Sequence, residues 1–547
     1  MERNKENHMA LVMSGLFGII SSAFLIFGYQ LETQDYIDVL SGNTPFFFAA
    51  FIFVITLDTY HVWRNYDSTD SGGRLFGFIK LPKWEKRVSV SKREFRINFA
   101  ILSLLTLPVF LGEFPGFFVY DAQEELNEVL TRSFTTHHPL LHVLLMGGTV
   151  ALFHKISGSW NIGIAAYILL QMLVISLILS YIVTMLMKSG IGKRARFLFV
   201  IYYGVFPPIV MYSLCSCKDG LFSALLLLLT ALLIELVRDP EGFIGSRIKV
   251  FAFVLTATLM PCFRHNGFYA YLVFVPFALI YFRKRLKSLL PVMLVVPVVL
   301  YLVLSQALSV ICHAAGTHHQ EMLTVPIMQI ARVYAYENGS ISGEDREVIT
   351  AYIPEEDLMK YTPRVSDLVK VNFNNDLYEK NSADFWKVWY RLFLQHPLAY
   401  INAWMLTSYG YYYPPAIINV YRGNTVYTFT YDVSSYFGYE VEPPGVRTSF
   451  IKPIDDLYRY ISIGSFQQDM PILHLFFSPG LYVFIYMFVF AYRLSKKRIG
   501  GVLPFLPMIL TFCTVLLGPT YLIRYVLYLW LCLPLLVITG NRSFKFE

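Results

Sequence analysis

A series of apolar tracts, separated by short loops whose charge alternates, limits this chain's possible folds more than any other feature. The tracts are residues 9–29, 45–63, 98–112, 162–187, 197–212, 219–237, 250–260, 267–282, 289–306, 473–492, 501–518 and 526–540. The first is long enough to cross a hydrocarbon core of ~30 Å, and the shorter ones must borrow from their flanks. Only 15% of residues are charged and 55% are hydrophobic, whereas a soluble domain carries roughly 25% charged residues. The expectation is an all-α polytopic membrane protein with about twelve transmembrane helices. The leading MERNKENH resembles a signal-peptide flank, but no small-residue cleavage site follows, so residues 9–29 are read as a true span.

Loop charge sets sidedness. One set is basic: Arg64, Arg74, Lys80, Lys83, Lys86, Arg87, Lys92, Arg93 and Arg96; then Lys188, Lys193, Arg194 and Arg196; then Arg238, Arg247 and Lys249; then Arg283, Lys284, Arg285 and Lys287; and finally Arg493, Lys496, Lys497 and Arg498. The intervening loops are acidic or nearly uncharged. By the positive-inside rule the basic set and both termini are cytoplasmic. The net charge of +7 therefore reflects short membrane loops and gives no nucleic-acid signature. Residues 139–153 would break the alternation if they crossed, so a helix lying in the outer interface is expected there.

Four parts follow: residues 1–97, two helices and a basic loop; 98–306, a membrane core with a first outer loop at 113–161; 307–471, an outer, mostly helical or irregular domain; and 472–547, the last helices. In the outer domain, Phe385, Trp386, Trp389 and Phe393 recur at helical spacing within 383–394. Cys215 and Cys217 form a C-x-C in which a disulfide is conceivable, although lone thiols commonly pack as small hydrophobes.

The first outer loop carries chemistry. Residues 113–139 read EFPGFFVYDAQEELNEVLTRSFTTHHP. Asp121 stands at the start of a helix, where it is either an N-cap or a proton acceptor whose pKa is raised by partial shielding from water. Glu124 and Glu125 are alternative acids, and Glu128 reads as the solvated face of that helix. His137 and His138 could join Asp121 as metal ligands, but no third ligand has diagnostic spacing.

Three turns on the same expected face each hold a cation: Lys218 in SCSCKDG, Arg264 in PCFRHNG and Arg524 in GPTYLIRY. Any one alone reads as a snorkelling side chain. Together, beside Asp219, His265 and Tyr525, they suggest a phosphate site, because ionisable groups at span ends usually line a cavity. Arginine would clamp the phosphate bidentately and lysine would add a compact charge.

An acidic first loop, a His-Pro seventeen residues after Asp121 and a late Arg-Tyr resemble the GT-C superfamily. Its members include the protein O-mannosyltransferases and lipid A aminoarabinose transferases. RHNG (264–267), VPIMQIARVY (325–334), SDLVK (366–370), HPLAYINA (396–403) and GYYYP (410–414) look like an uncharacterised family of Gram-positive bacterial membrane proteins within that superfamily. The resemblance runs from residue 98 to the C-terminus. It implies a GT-C-like fold, location in the bacterial cytoplasmic membrane and an inverting glycosyltransferase with an extracytoplasmic active site. The sugar donor would be a polyprenyl phosphate, and the acceptor a glycan, glycolipid or protein.

Asp121 takes the place of the superfamily's essential aspartate, and His138-Pro139 takes the His-Pro position. The O-mannosyltransferases carry Asp-Glu together. Here Ala122 and Gln123 intervene before Glu124 and Glu125, which leaves open which carboxylate acts and whether a divalent metal takes part. His138, Lys218, Arg264, His265, Arg524 and Tyr525 are the expected substrate-binding set. The absence of a P-loop or a Gly-rich turn after a strand argues against direct use of ATP or a nucleotide sugar. The rival reading is a transporter or flippase of lipid-linked sugars. Such proteins usually place polar residues at the midplane of internal repeats, whereas this chain gathers its unusual groups on one face.

Overall fold

The computed structural model describes residues 2–68, 74–75, 79–80, 91–188, 191–285, 287–416, 441–462 and 466–539. Lys83, Lys86 and Arg87 of the basic loop, and 417–440 of the expected outer domain, lie outside these residues. The chain is helical, with one short antiparallel pairing of Arg74–Leu75 with Ile79–Lys80.

Thirteen helices lead to the site and around it: α1 Glu2–Gln34, α2 Thr44–Ser68, α3 Lys92–Gly112, α4 Ala122–Thr131, α5 Leu140–Ser157, α6 Trp160–Lys188, α7 Lys193–Val205, α8 Pro207–Ser213, α9 Asp219–Arg238, α10 Pro240–Ile244, α11 Arg247–Leu259, α12 His265–Tyr281 and α13 Leu290–Cys312. Local chemistry explains several boundaries. Ser91 caps α3 by accepting from the Glu94 amide at 3.3 Å, and the Pro207-Pro208 pair starts α8 afresh after α7, since proline cannot continue a helical ladder.

Among the described residues, α1, α2, α3, α5, α6, α9 and α13 are long and apolar enough to cross a membrane, seven in all. Two bent pairs, α7 with α8 at 58° and Pro471–Phe477 with Pro479–Ser495 at 64°, raise the number to nine. The structure thus supports a polytopic helical membrane protein, with fewer full-length helices than the expected twelve tracts. Two of the remaining tracts form α11 and α12, of 13 and 17 residues. The last two break into the shorter apolar stretches Ile499–Val515 and Ile523–Val537, which prolines at 504, 507 and 534 interrupt.

Helix direction separates two ends. At one, Arg196 pairs with Glu94 at 2.7 Å, Lys249 with Glu235 at 2.6 Å and Arg285 with Glu241 at 2.8 Å. At the other lie the starts of α4, α5, α9 and α12. Between them α9 is buried almost all round, as befits a helix that is apolar on every face. Helix α5 packs on the first turns of α6: Gly163 meets the Val150 carbonyl, and His142 meets Tyr167. The next turn of α6, at Ile168, already meets Gly116 beyond the end of α3. So α5 sits past the end of α3 rather than beside it, although its 18 residues are long enough to cross.

There are two hydrophobic cores. The larger unites the membrane helices with Tyr409, Tyr411, Tyr412 and Tyr413. The smaller is built from residues between Leu323 and Tyr400, including Phe385 and Leu392, with Trp389 and Phe393 packed on it. Trp386 remains 38% exposed. The smaller core is tied to the site end: Arg364 pairs with Asp35 at 2.9 Å, Ser366 N donates to Pro519 O, and Thr136 N donates to Ala315 O.

Candidate functional site

Four helix starts converge here. Asp121 is the N-cap residue of α4, Pro139 of α5, Lys218 of α9 and Arg264 of α12. A helix N-terminus carries roughly half a positive charge and unpaired amide donors, so this convergence favours anions. Tyr120, just before Asp121, adopts a left-handed φ of 66°. That sparsely populated conformation persists only where its surroundings hold it.

Lys218 is the hub. Its ammonium lies 2.7 Å from Asp121 Oδ2, 3.0 Å from His138 Nδ1 and 3.4 Å from Glu125 Oε1. An ammonium only donates, so His138 Nδ1 is an acceptor. Its Nε2 lies 3.6 Å from Glu124 Oε2. Arg264 pairs with Asp219. Arg524 Nη1 lies 3.5 Å from Asp121 and 3.7 Å from Asp219. The Arg524 guanidinium sits 4.3 Å from the Tyr120 ring centre and 4.8 Å from that of Tyr525, and Arg264 reaches the Tyr525 ring at 4.5 Å. Arg524 Nη2 donates to the Tyr525 hydroxyl, yet among the described residues its buried Nε and Nη1 make no hydrogen bond.

All nine sequence candidates meet in this region. Asp121, Glu125, His138, Lys218, Arg264, Arg524 and Tyr525 form the network, and His265 flanks it, bonded through Nδ1 to the Tyr301 hydroxyl at 3.1 Å. Glu124 is at the rim, its side chain 55% exposed. A small cavity beside them is lined by His138, Leu141, Cys262, His265, Tyr301 and Leu308, joining the polar site to the flank of α13.

Three sequence readings change. Asp121 does not cap α4; its carboxylate turns to Lys218. Burial would raise its pKa, but Lys218 and Arg524 hold it well below the ordinary carboxylate range, the reverse of the expected upward shift. Glu128 is not the solvated face: it is 9% exposed and accepts from the Thr135 amide and hydroxyl. A third ligand-type group does stand beside Asp121 and His138, namely Glu125. The i, i+4 spacing of Asp121 and Glu125 was the available signal. Cys215 and Cys217 are free thiols, both buried.

The structure adds residues that sequence reasoning missed. His142 Nδ1 lies 2.5 Å from Glu125 Oε2, and its Nε2 lies 2.8 Å from the Tyr167 hydroxyl. Tyr167 donates to Gln171 Oε1, whose Nε2 is fixed by the Cys215 carbonyl at 2.6 Å. With its one proton committed, Tyr167 must accept from His142. Burial opposes ionisation of Glu125, yet His142 and Lys218 bring its pKa down to about 2, so its carboxylate also accepts from His142. Lys218, Arg264 and Arg524 face Asp121 and the buried carboxylates Glu125 and Asp219, with His142 behind Glu125.

Glu442 is the other addition. Its amide donates to Phe118 O at 2.8 Å, and it is 3% exposed. Burial, reinforced by Asp121, pushes its carboxyl up to about 9, so it is neutral at pH 7.

A family model, DUF6020, described as a family of unknown function, matches residues 127–545. The chain belongs to the DUF6020 family. The DUF6020 match includes His138, Lys218, Arg264, Glu442 and Arg524 and begins after Asp121 and Glu125. No curated protein matches the chain, and no solved structure does.

Proposed function

We propose that this chain is an inverting membrane glycosyltransferase of GT-C type. It would move a sugar from a polyprenyl-phosphate donor to a glycan, glycolipid or protein acceptor on the outer face of the bacterial cytoplasmic membrane. The observation that carries the reading is Arg524, buried beside Asp121 with two N–H-bearing nitrogens unbonded among the described residues. A buried guanidinium with idle donors is costly unless an anion completes it.

The same geometry supplies a sequence of events. In the free enzyme Asp121 is ionised but a weak base, because Lys218 and Arg524 hold it so. A donor phosphate that engages Arg524 and Lys218 draws their field away, and the proton affinity of Asp121 rises as the acceptor arrives. Asp121 takes the acceptor hydroxyl's proton while that oxygen bonds to the anomeric carbon. The bond from that carbon to the phosphate oxygen breaks and its electron pair leaves with the phosphate, where Arg524, Lys218 and the helix starts stabilise it. Attack opposite the leaving group inverts the centre.

The test is transfer from polyprenyl-phosphate sugars by the purified full-length protein. Donor-dependent turnover that Asp121→Asn abolishes is the expected result. Unchanged turnover by Asp121→Asn, or movement of the lipid-linked sugar across vesicle membranes without transfer, would overturn the reading in favour of another base or of a flippase.

A further inference from the structure

Asp121, Glu125 and His138 are the residue types that bind divalent metals, and their ligand atoms lie within 4.8 Å of one another. The centre of that cradle already holds a cation. The Lys218 ammonium sits among the three groups at 2.7, 3.4 and 3.0 Å from Asp121, Glu125 and His138. Metal–ligand bonds to carboxylate or imidazole are about 2.0–2.2 Å, so a bound metal would need the cradle drawn inward. As it stands, the spacing suits the longer contacts of an ammonium.

Lys218 is also poorly placed to withdraw. Its backbone forms the N-cap of α9, the most buried long helix, and its side chain is 12% exposed. If the ammonium left, Asp121 Oδ2, Glu125 Oε1 and His138 Nδ1 would each lose the contact it makes, and Glu125 and His138 are buried.

We infer that Lys218 is a tethered cation occupying a divalent-metal cradle made by Asp121, Glu125 and His138. The protein therefore works without a metal at this position, and shortening Lys218 opens a site for Mn2+, Co2+ or Zn2+. Two carboxylates and one imidazole form a donor set that such ions accept. The inference stands apart from the transferase reading, because it is tested by metal binding with neither donor nor acceptor present.

The experiment titrates the full-length protein in nanodiscs with Mn2+, following the free-ion EPR signal, and repeats the titration with Co2+ by visible absorption. Wild type and Lys218→Arg should show no saturable binding. Lys218→Ala, eluting as the wild type does on gel filtration, should bind one ion per chain ~100-fold or more tighter than wild type, and Lys218→Ala/Asp121→Asn should lose most of that gain, since removing a ligand typically costs at least as much as the 10–100-fold seen for supporting groups. Saturable, Asp121-dependent Mn2+ binding by the wild type would overturn the inference by making this a native metal site. A folded Lys218→Ala protein that binds no ion would overturn it as well. If Lys218→Ala does not fold, Lys218→Ser and the wild-type titration carry the test.

Discussion

Two ionic clusters, each tied to the first loop, differ in what they leave undone. In the first, Arg447 bridges Glu113 and Asp455, and Arg459 and Lys452 add further bonds to Asp455. It fastens residues 446–450 to the first loop, together with the Asn161–Val446 pair and the amides of Thr448 and Phe450. In the second, Lys218, Arg264 and Arg524 meet Asp121 and Asp219, but Arg524 Nε and Nη1 and Asp219 Oδ2 make no hydrogen bond among the described residues. Buried charge alone therefore does not mark a site. What distinguishes the second is that Arg524 stands 3.5 and 3.7 Å from its carboxylates, whereas Arg447 bonds both of its own directly.

The contrast is most open to attack through Asp121→Asn, which keeps the shape and removes the charge. Turnover should fall about 100- to 10,000-fold, the usual contribution of a general base, in protein that still elutes as the wild type does on gel filtration. Next comes Arg447→Met, which strips the fastening cluster of its bridge. Stability should fall by about 3–5 kcal/mol, the scale for breaking a buried pair from one side, measured as unfolding in detergent. If Arg447→Met instead lost donor affinity at normal stability, the division between the clusters would fail. Arg524→Ala should do the converse, weakening donor affinity about 10- to 100-fold, as expected for a charged hydrogen bond, with little loss of stability.

A smaller effect is expected from pH. The Glu442 pKa is raised to about 9 from 4.5, so the stability it contributes is complete below pH 4.5 and declines until pH passes about 9. Glu442→Gln should flatten that slope and melt higher than wild type at pH 8.5. Glu125 acts in the opposite sense: its contribution is present above pH 4.5 and fades as pH falls toward about 2. Glu124→Gln, at the rim, should change turnover by no more than about threefold, as mostly exposed ion pairs contribute little. A larger drop would move the rim into the working site.

What could be read beforehand follows a physical line. Lys218, Arg264 and Arg524 stood out because charges are rare in apolar sequence, and helix-breaking neighbours marked each as a span end. Their pairing could not be read, since the distance from Asp121 to Arg524 along the chain is 403 residues and only packing closes it. Glu128 looked solvated by helical periodicity, but the Thr135 turn folds back over it. His142 was hidden inside an apolar run, where one imidazole looks like packing until its two partners are seen. Glu442 lies in a polar, aperiodic stretch that no pattern ties to the first loop; one amide bond to Phe118 does so. Each of the twelve tracts is helical, but hydropathy does not show where prolines bend or shorten a helix, as at 207–208, 504, 507 and 534.

The position of Arg524 in the chain carries a consequence for biosynthesis. The ribosome makes Asp121 and Asp219 some three hundred residues or more before the arginine that lies between them. Until that last stretch is inserted, a nascent chain can hold lipid-embedded helices but lacks the complete charge cage. On the proposed reading, catalytic competence would then be the final property acquired during insertion.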